Sequence, residues 1–142
     1  MGERCIFILG ASSDTGMSFI EKKGGEYSLI YAHFNRGNER FDALKESLGE
    51  KIVPLKADLS DRSEVQSLLA AVEEKGIYPD QYLHIASDRM TGGKFHKRET
   101  DDFDRGWQIS VMPAVILLNV FTEKMIRKKY GRIVFMLTSC TL

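Results

Sequence analysis

Two cysteines, three prolines and one tryptophan are all that 142 residues hold of those types. Cys5 and Cys140 both sit in apolar, strand-like settings, where a buried reduced thiol is the ordinary state. A disulfide framework and an oxidising compartment are therefore not expected. An excess of either charge is also missing, since twenty Lys and Arg offset twenty Asp and Glu. That balance argues against nucleic acid or an anionic membrane as partner. Long apolar runs are absent as well. Glu3 and Arg4 precede a run too short for a signal peptide, and Val111–Phe121 is too short to span a bilayer and holds Pro113 and Asn119. The start Met1-Gly2 lacks the hydroxyl of a myristoylation signal, because Ile6 stands in its place. No repeat, linker, low-complexity segment or metal-ligand set is found. The expectation is one cytoplasmic domain over residues 1–142, with no metal, no membrane contact and no nucleic acid. Hydrophobic residues at 43% and charged residues at 28% suit a globular core with a solvated surface.

What is present is an alternation of strand and helix. Arg4–Leu9 is a continuous apolar run, which reads as a strand buried on both faces. A helix over Thr15–Lys23 follows, with Asp14 as its expected cap and Gly24-Gly25 as its stop. Tyr27–Phe34 and Lys51–Ala57 read as strands on either side of a helix at Glu39–Leu48, where Phe41, Leu44 and Leu48 recur at helical spacing. Ser60 or Asp61 caps a helix over Ser63–Glu74 with Val65, Leu68, Leu69 and Val72 on one face. Gln81–Ala86 is a fourth strand and Ser87–Glu99 a polar connection. Asp102–Lys129 reads as a long helix bent at Pro113, and Arg132–Leu137 as a fifth strand. Strands joined through helices imply right-handed crossovers and a Rossmann-type, doubly wound parallel α/β sheet in the order 3-2-1-4-5.

The first strand ends in the chemistry-bearing turn. Gly10 permits a tight turn, and the loop Ser12-Ser13-Asp14-Thr15-Gly16 leads into a helix. The free N–H groups of a helix start, with the positive end of its dipole behind them, suit a pyrophosphate. The second strand ends His33-Phe34-Asn35-Arg36 with no acid. An acid there would bond the ribose of NAD, whereas Arg36 can grip the extra phosphate of NADP; a solvated surface arginine is the other reading. Asp58 can accept from an adenine amino group, cap the following helix, or do both. Ala86 and Ser87 are small enough to pass beside the cofactor riboses, or simply to end a strand tightly. His84 is read as a packed structural histidine.

These residues, in this order, resemble the short-chain dehydrogenase/reductase family, and its 3-oxoacyl-carrier-protein reductase branch most. The family's T-G-x-x-x-G-x-G fingerprint falls on Leu9-Gly10-Ala11-Ser12-Ser13-Asp14-Thr15-Gly16. Its adenine-side aspartate falls on Asp58 within Ala57-Asp58-Leu59-Ser60, and its N-N-A-G stretch on His84-Ile85-Ala86-Ser87. Its long helix opens on Phe103-Asp104-Arg105, and the active-site asparagine of that helix falls on Ser110. Gly131-Arg132-Ile133-Val134 approaches the catalytic serine, which falls on Ser139 or Thr138, with Ser139 preferred.

The resemblance implies hydride transfer between a nicotinamide cofactor and a carbonyl of a small molecule or acyl thioester, and Arg36 in place of an acid points to NADP(H) before NAD(H). It implies a homo-oligomer formed through the Asp102–Lys129 helix. It also marks departures. Asp14 replaces the middle glycine of the fingerprint and brings negative charge near a phosphate site unless it faces away. Ser110 replaces an amide that helps hold a proton-relay water. The family's Tyr-x-x-x-Lys pair would follow the fifth strand; Tyr130 precedes that strand, so the chain reads as the N-terminal, cofactor-binding part, inactive alone. A non-catalytic nucleotide-binding or partner-binding protein is the alternative.

Overall fold

The computed structural model describes residues 3–88 and 93–137. Among them, strand and helix alternate as β1 (Cys5–Leu9), α1 (Asp14–Lys23), β2 (Leu29–Phe34), α2 (Glu39–Leu48), β3 (Ile52–Lys56), α3 (Arg62–Lys75), β4 (Gln81–His84), α4 (Thr100–Ser110), α5 (Met112–Lys128) and β5 (Arg132–Phe135). The sheet runs β3-β2-β1-β4-β5, as expected. Every pairing is parallel, with Ile6 opposite both Ile30 and Gln81. The strands end sooner than their apolar runs, although Ala57 and Ile85 still donate to the Phe34 and Leu9 carbonyls of the adjacent strands.

Side chains alternate across β1, and each set meets its own helix layer. Phe7 and Leu9 join Tyr31, Tyr82, Leu68, Val72, Leu117 and Phe121 in one core. Ile6 and Ile8 join Met17, Ile20, Ile30 and Phe41 in the other. Burial of both faces explains why β1 reads as an unbroken apolar run rather than an alternating one. Burial also pushes the Cys5 thiol up to about 12, with Asp80 adding to the shift, so this cysteine is an inert packing group. Cys140 lies outside the described residues.

Three local features are decided by the backbone. Asp14 does not cap α1; Ser13 does, in an extended conformation from which its Oγ accepts the Gly16 N–H at 3.1 Å. Of Ser60 and Asp61, the two caps expected for α3, Asp61 is the one formed, through the Ser63 N–H at 2.9 Å, and the capping alternative for Asp58 falls away. The long helix does not bend at Pro113. It is interrupted at Val111, and Pro113 lies in the first turn of α5, where its missing N–H would be unpaired anyway. The stretch Thr100–Lys128 has the length and apolarity of a bilayer span. However, Ala114, Leu117, Phe121 and Met125 pack on the sheet, the placement of a core helix.

Candidate cofactor cleft

The β1–α1 turn depends on two glycines. Gly10 has φ +95, and a Cβ there would lie 2.8 Å from the Ala86 nitrogen. A Cβ on Gly16 would lie 2.6 Å from the Gly10 carbonyl oxygen. The turn and β4 are thus in backbone contact, and only glycine fits at either point. Ser13 closes the turn from both sides, since its hydroxyl donates to the Gly10 carbonyl at 2.8 Å while capping α1. The remaining first-turn N–H groups, those of Asp14 and Thr15, have no acceptor within the helix.

Around this turn lies a cleft of about 590 Å³ at the carboxyl ends of the strands. Gly10, Ser12, Ser13, Asn35, Arg36, Asp58, Leu59, Ala86 and Ser87, singled out from sequence, all line it. His33, Asp88 and Arg105 line it too. Ala86 and Ser87 are shared with a second cavity of about 760 Å³, whose walls include Thr15, His84, Ser110, Val111, Val115, Leu118, Phe135 and Met136. The first cavity is charged and polar; the second is largely apolar.

Several side chains are held by partners that sequence does not reveal. Asp58 Oδ1 accepts both the N–H and the hydroxyl of Ser60, at 2.9 and 2.6 Å, and these bonds hold its carboxyl below the usual range. Ser110 Oγ accepts the Asp88 N–H at 3.0 Å, which ties the end of α4 to the segment after β4. Arg105 reaches across to Asp88 at 3.7 Å. His84 is buried and shares a 2.9 Å bond with the Tyr82 hydroxyl, which fits its structural reading; burial pushes its ring below the ordinary histidine range.

Asp14 is not among the cleft residues. Its side chain is 97% exposed and lies 3.6 Å from Arg40, so its charge faces away from the turn and is offset there. Arg40 itself is forked onto Glu21 at 2.7 and 2.8 Å. Gly16 is buried inside the turn. Ser139 and Thr138 lie outside the described residues.

His33, Asn38 and Arg40 were not singled out as functional. Asn38 caps α2 through the Phe41 N–H and also donates to the Ser12 carbonyl at 3.3 Å, joining α2 to the turn. An asparagine after a glycine signals a cap, but nothing in the sequence signals the second bond.

The site accepts a dinucleotide on its own geometry. The glycine cradle would be filled by any Cβ, the helix start offers N–H donors, and basic Arg36 lines the same cleft. Residues 4–141 match the family model described as short chain dehydrogenase. Nodulation protein G of Rhizobium sp. (strain N33) is 24% identical over 131 residues, covering 92% of this chain and 53% of that protein. Among solved structures, the L-sorbose reductase of Gluconobacter frateurii, complexed with NADPH and L-sorbose, is 19% identical. It superposes with a TM-score of 0.80 over 95% of this chain and 52% of its own. A short-chain dehydrogenase of Streptomyces avermitilis is 18% identical with a TM-score of 0.81, over 93% of this chain and 49% of its own. At these identities the two structures speak for the fold alone, and the chain spans about half the length of the relatives it matches. With the family model covering nearly every residue, the chain belongs to the short-chain dehydrogenase family.

Proposed function

We propose that this chain supplies the cofactor-binding half of an NADP(H)-dependent oxidoreductase that reduces a carbonyl of the 3-oxoacyl kind. The observation that carries this reading is the convergence of the glycine turn, Arg36 and Asp58 on one cleft. In it the turn and the start of α1 hold the pyrophosphate. Arg36 takes the 2′-phosphate in forked, charge-assisted bonds. Asp58 has Oδ1 committed to Ser60, so Oδ2 meets the adenine amino group. Ala86 and Ser87 let the riboses pass between the two cavities. A bound nicotinamide supplies the hydride. Val111, Val115, Leu118 and Phe135 give the second cavity an apolar wall beside the reacting carbon. Ser139 is the candidate hydroxyl for the carbonyl oxygen, and Ser110 shapes the cavity floor through Asp88. Exposed Phe103, Trp107 and Val115 on α4 and α5 support association with a second copy.

A second reading, a nucleotide-binding or partner-binding protein without turnover, draws on one observation. Ser110 Oγ is engaged by a backbone N–H and so acts as a loop anchor. Calorimetric titration with NADPH and NADH tests the cofactor assignment. Arg36→Ala is expected to lose about 1–3 kcal/mol of NADPH binding and almost none of NADH binding. Equal losses for both would remove the 2′-phosphate role. Acetoacetyl-thioester reduction separates the two readings, because binding without turnover once the Ser139 hydroxyl has a proton donor beside it favours the second.

A further inference from the structure

His33 is 3% exposed, yet its ring and its backbone both hold the glycine turn. The Gly10 N–H donates to His33 Nδ1 at 3.0 Å, and the Ala11 N–H donates to the His33 carbonyl at 2.8 Å. On its other side, His33 Nε2 lies 2.9 Å from the Ala57 carbonyl. One residue on β2 thus fastens the carboxyl ends of β1 and β3. The partners dictate the tautomer. Gly10 N–H is only a donor, so Nδ1 must accept; the Ala57 carbonyl is only an acceptor, so Nε2 must carry the proton. The ring does this work only while neutral.

Protonation would place an N–H⁺ against the Gly10 N–H. Gly10 has little room to find another acceptor, because it is already in backbone contact with Ala86. A buried donor left unpaired is costly, and the turn would have to shift.

We infer that His33 is a positioning residue for the cofactor-binding turn, and that protonation of its ring releases Gly10 and weakens dinucleotide binding. The inference rests on the dinucleotide reading of the cleft. Burial pushes the His33 ring below the ordinary histidine range, despite its bond to Ala57, which favours the neutral form and moves any loss of the Gly10 bond to the acid side of that range. His84 on β4 opposes protonation of the ring, and the charged groups lining the same cleft are Arg36 after β2, Asp58 after β3, Asp88 after β4 and Arg105 on α4. Glu64 on α3 reaches the same corner through the Asp58 N–H. Comparison with a variant is therefore needed to isolate His33.

His33→Asn keeps a neutral acceptor near the Nδ1 position and cannot be protonated, whereas His33→Leu removes the acceptor. Calorimetric NADPH titrations between about pH 8 and about pH 5 give the first readout. The wild-type chain should weaken on acidification by clearly more than His33→Asn, and folded His33→Leu should be about tenfold weaker already at the upper pH. Unchanged binding by His33→Leu, or the full acid loss retained in His33→Asn, overturns the inference.

The second readout needs no cofactor. Imidazole ¹⁵N shifts should report the Nε2–H tautomer, and the protection factor of the Gly10 amide should fall as the ring protonates. A Gly10 amide whose protection ignores that titration also overturns the inference. If wild-type protein binds neither NADPH nor NADH while Gly10 protection follows the ring, the dinucleotide reading fails and the His33–turn coupling stands.

Discussion

The two ends of the sheet are built differently. Around β3, β2 and β1, polar side chains fix backbone: Ser13 and His33 hold Gly10, Asn38 reaches Ser12, and Arg40 ties α2 to α1 through Glu21 and Ser18. Around β5 and α4, apolar side chains lie open. Ile133, Val134 and Phe135 are each 40–44% exposed, and Trp107 is 56% exposed. The two ends offer different kinds of contact. A phosphate is met by N–H groups at hydrogen-bond distance, so the backbone offering them must be fixed to a fraction of an ångström. An apolar ring or a second protein surface is met by area, which tolerates displacement. The tightly tied end is therefore sensitive to single atoms, and the open end to the amount of surface covered.

Removing area at the centre should have the largest effect. Phe121 on α5 is fully buried, with its ring 5.5 Å from that of Phe7. Phe121→Ala should cost about 3–5 kcal/mol in chemical denaturation, through lost burial and the cavity left behind. A cost below about 1 kcal/mol would mean that α5 is not seated on the sheet as described. One carbon at the tied end comes next. Gly16→Ala puts a Cβ 2.6 Å from the Gly10 carbonyl oxygen and 2.7 Å from that of Ala11. Neither is the movable end of a side chain, so the turn itself must open, at roughly 1–3 kcal/mol. Cofactor affinity should fall beyond what the stability loss explains. If affinity is untouched, the turn does not need the geometry seen here.

Strand order was legible because apolar runs and helical spacing are properties of contiguous residues, and right-handed crossovers leave few topologies. The turn was legible for the same reason, with its glycines and hydroxyls adjacent in the chain. Cap identity was not. At α1, Ser12-Ser13-Asp14 offers three side chains able to accept an N–H, whereas at α3 the sequence narrows the cap to Ser60 or Asp61; backbone angles decide in each case. The break at Val111 was misplaced onto Pro113 because proline disturbs the residues before it more than itself. His33 was hidden most completely. In β2 it looks like another buried strand residue, and its partners, Gly10 and Ala57, are 23 and 24 positions away in sequence. Asn38 and Arg40 were passed over for the same reason, since their partners Ser12, Ser18 and Glu21 lie far from them in sequence.

The smallest effect carries the opposite sign and probes the open end. Gly106 lies within α4, and a Cβ there would meet nothing within 4 Å. Glycine inside a helix costs about 0.5–1 kcal/mol relative to alanine, so Gly106→Ala should raise stability by that amount and leave cofactor binding alone. The same methyl group that forces the β1–α1 turn apart at Gly16 should be welcome here. Its value as a test lies in concentration. If α4 packs against a second copy at backbone distance, the new Cβ meets that copy, and the variant should dissociate at protein concentrations where the wild-type chain stays associated. A stabilised variant with unchanged light scattering keeps that side of α4 open to solvent. A variant that loses both stability and association places Gly106 within an interface, and makes the open end as sensitive to one carbon as the tied end.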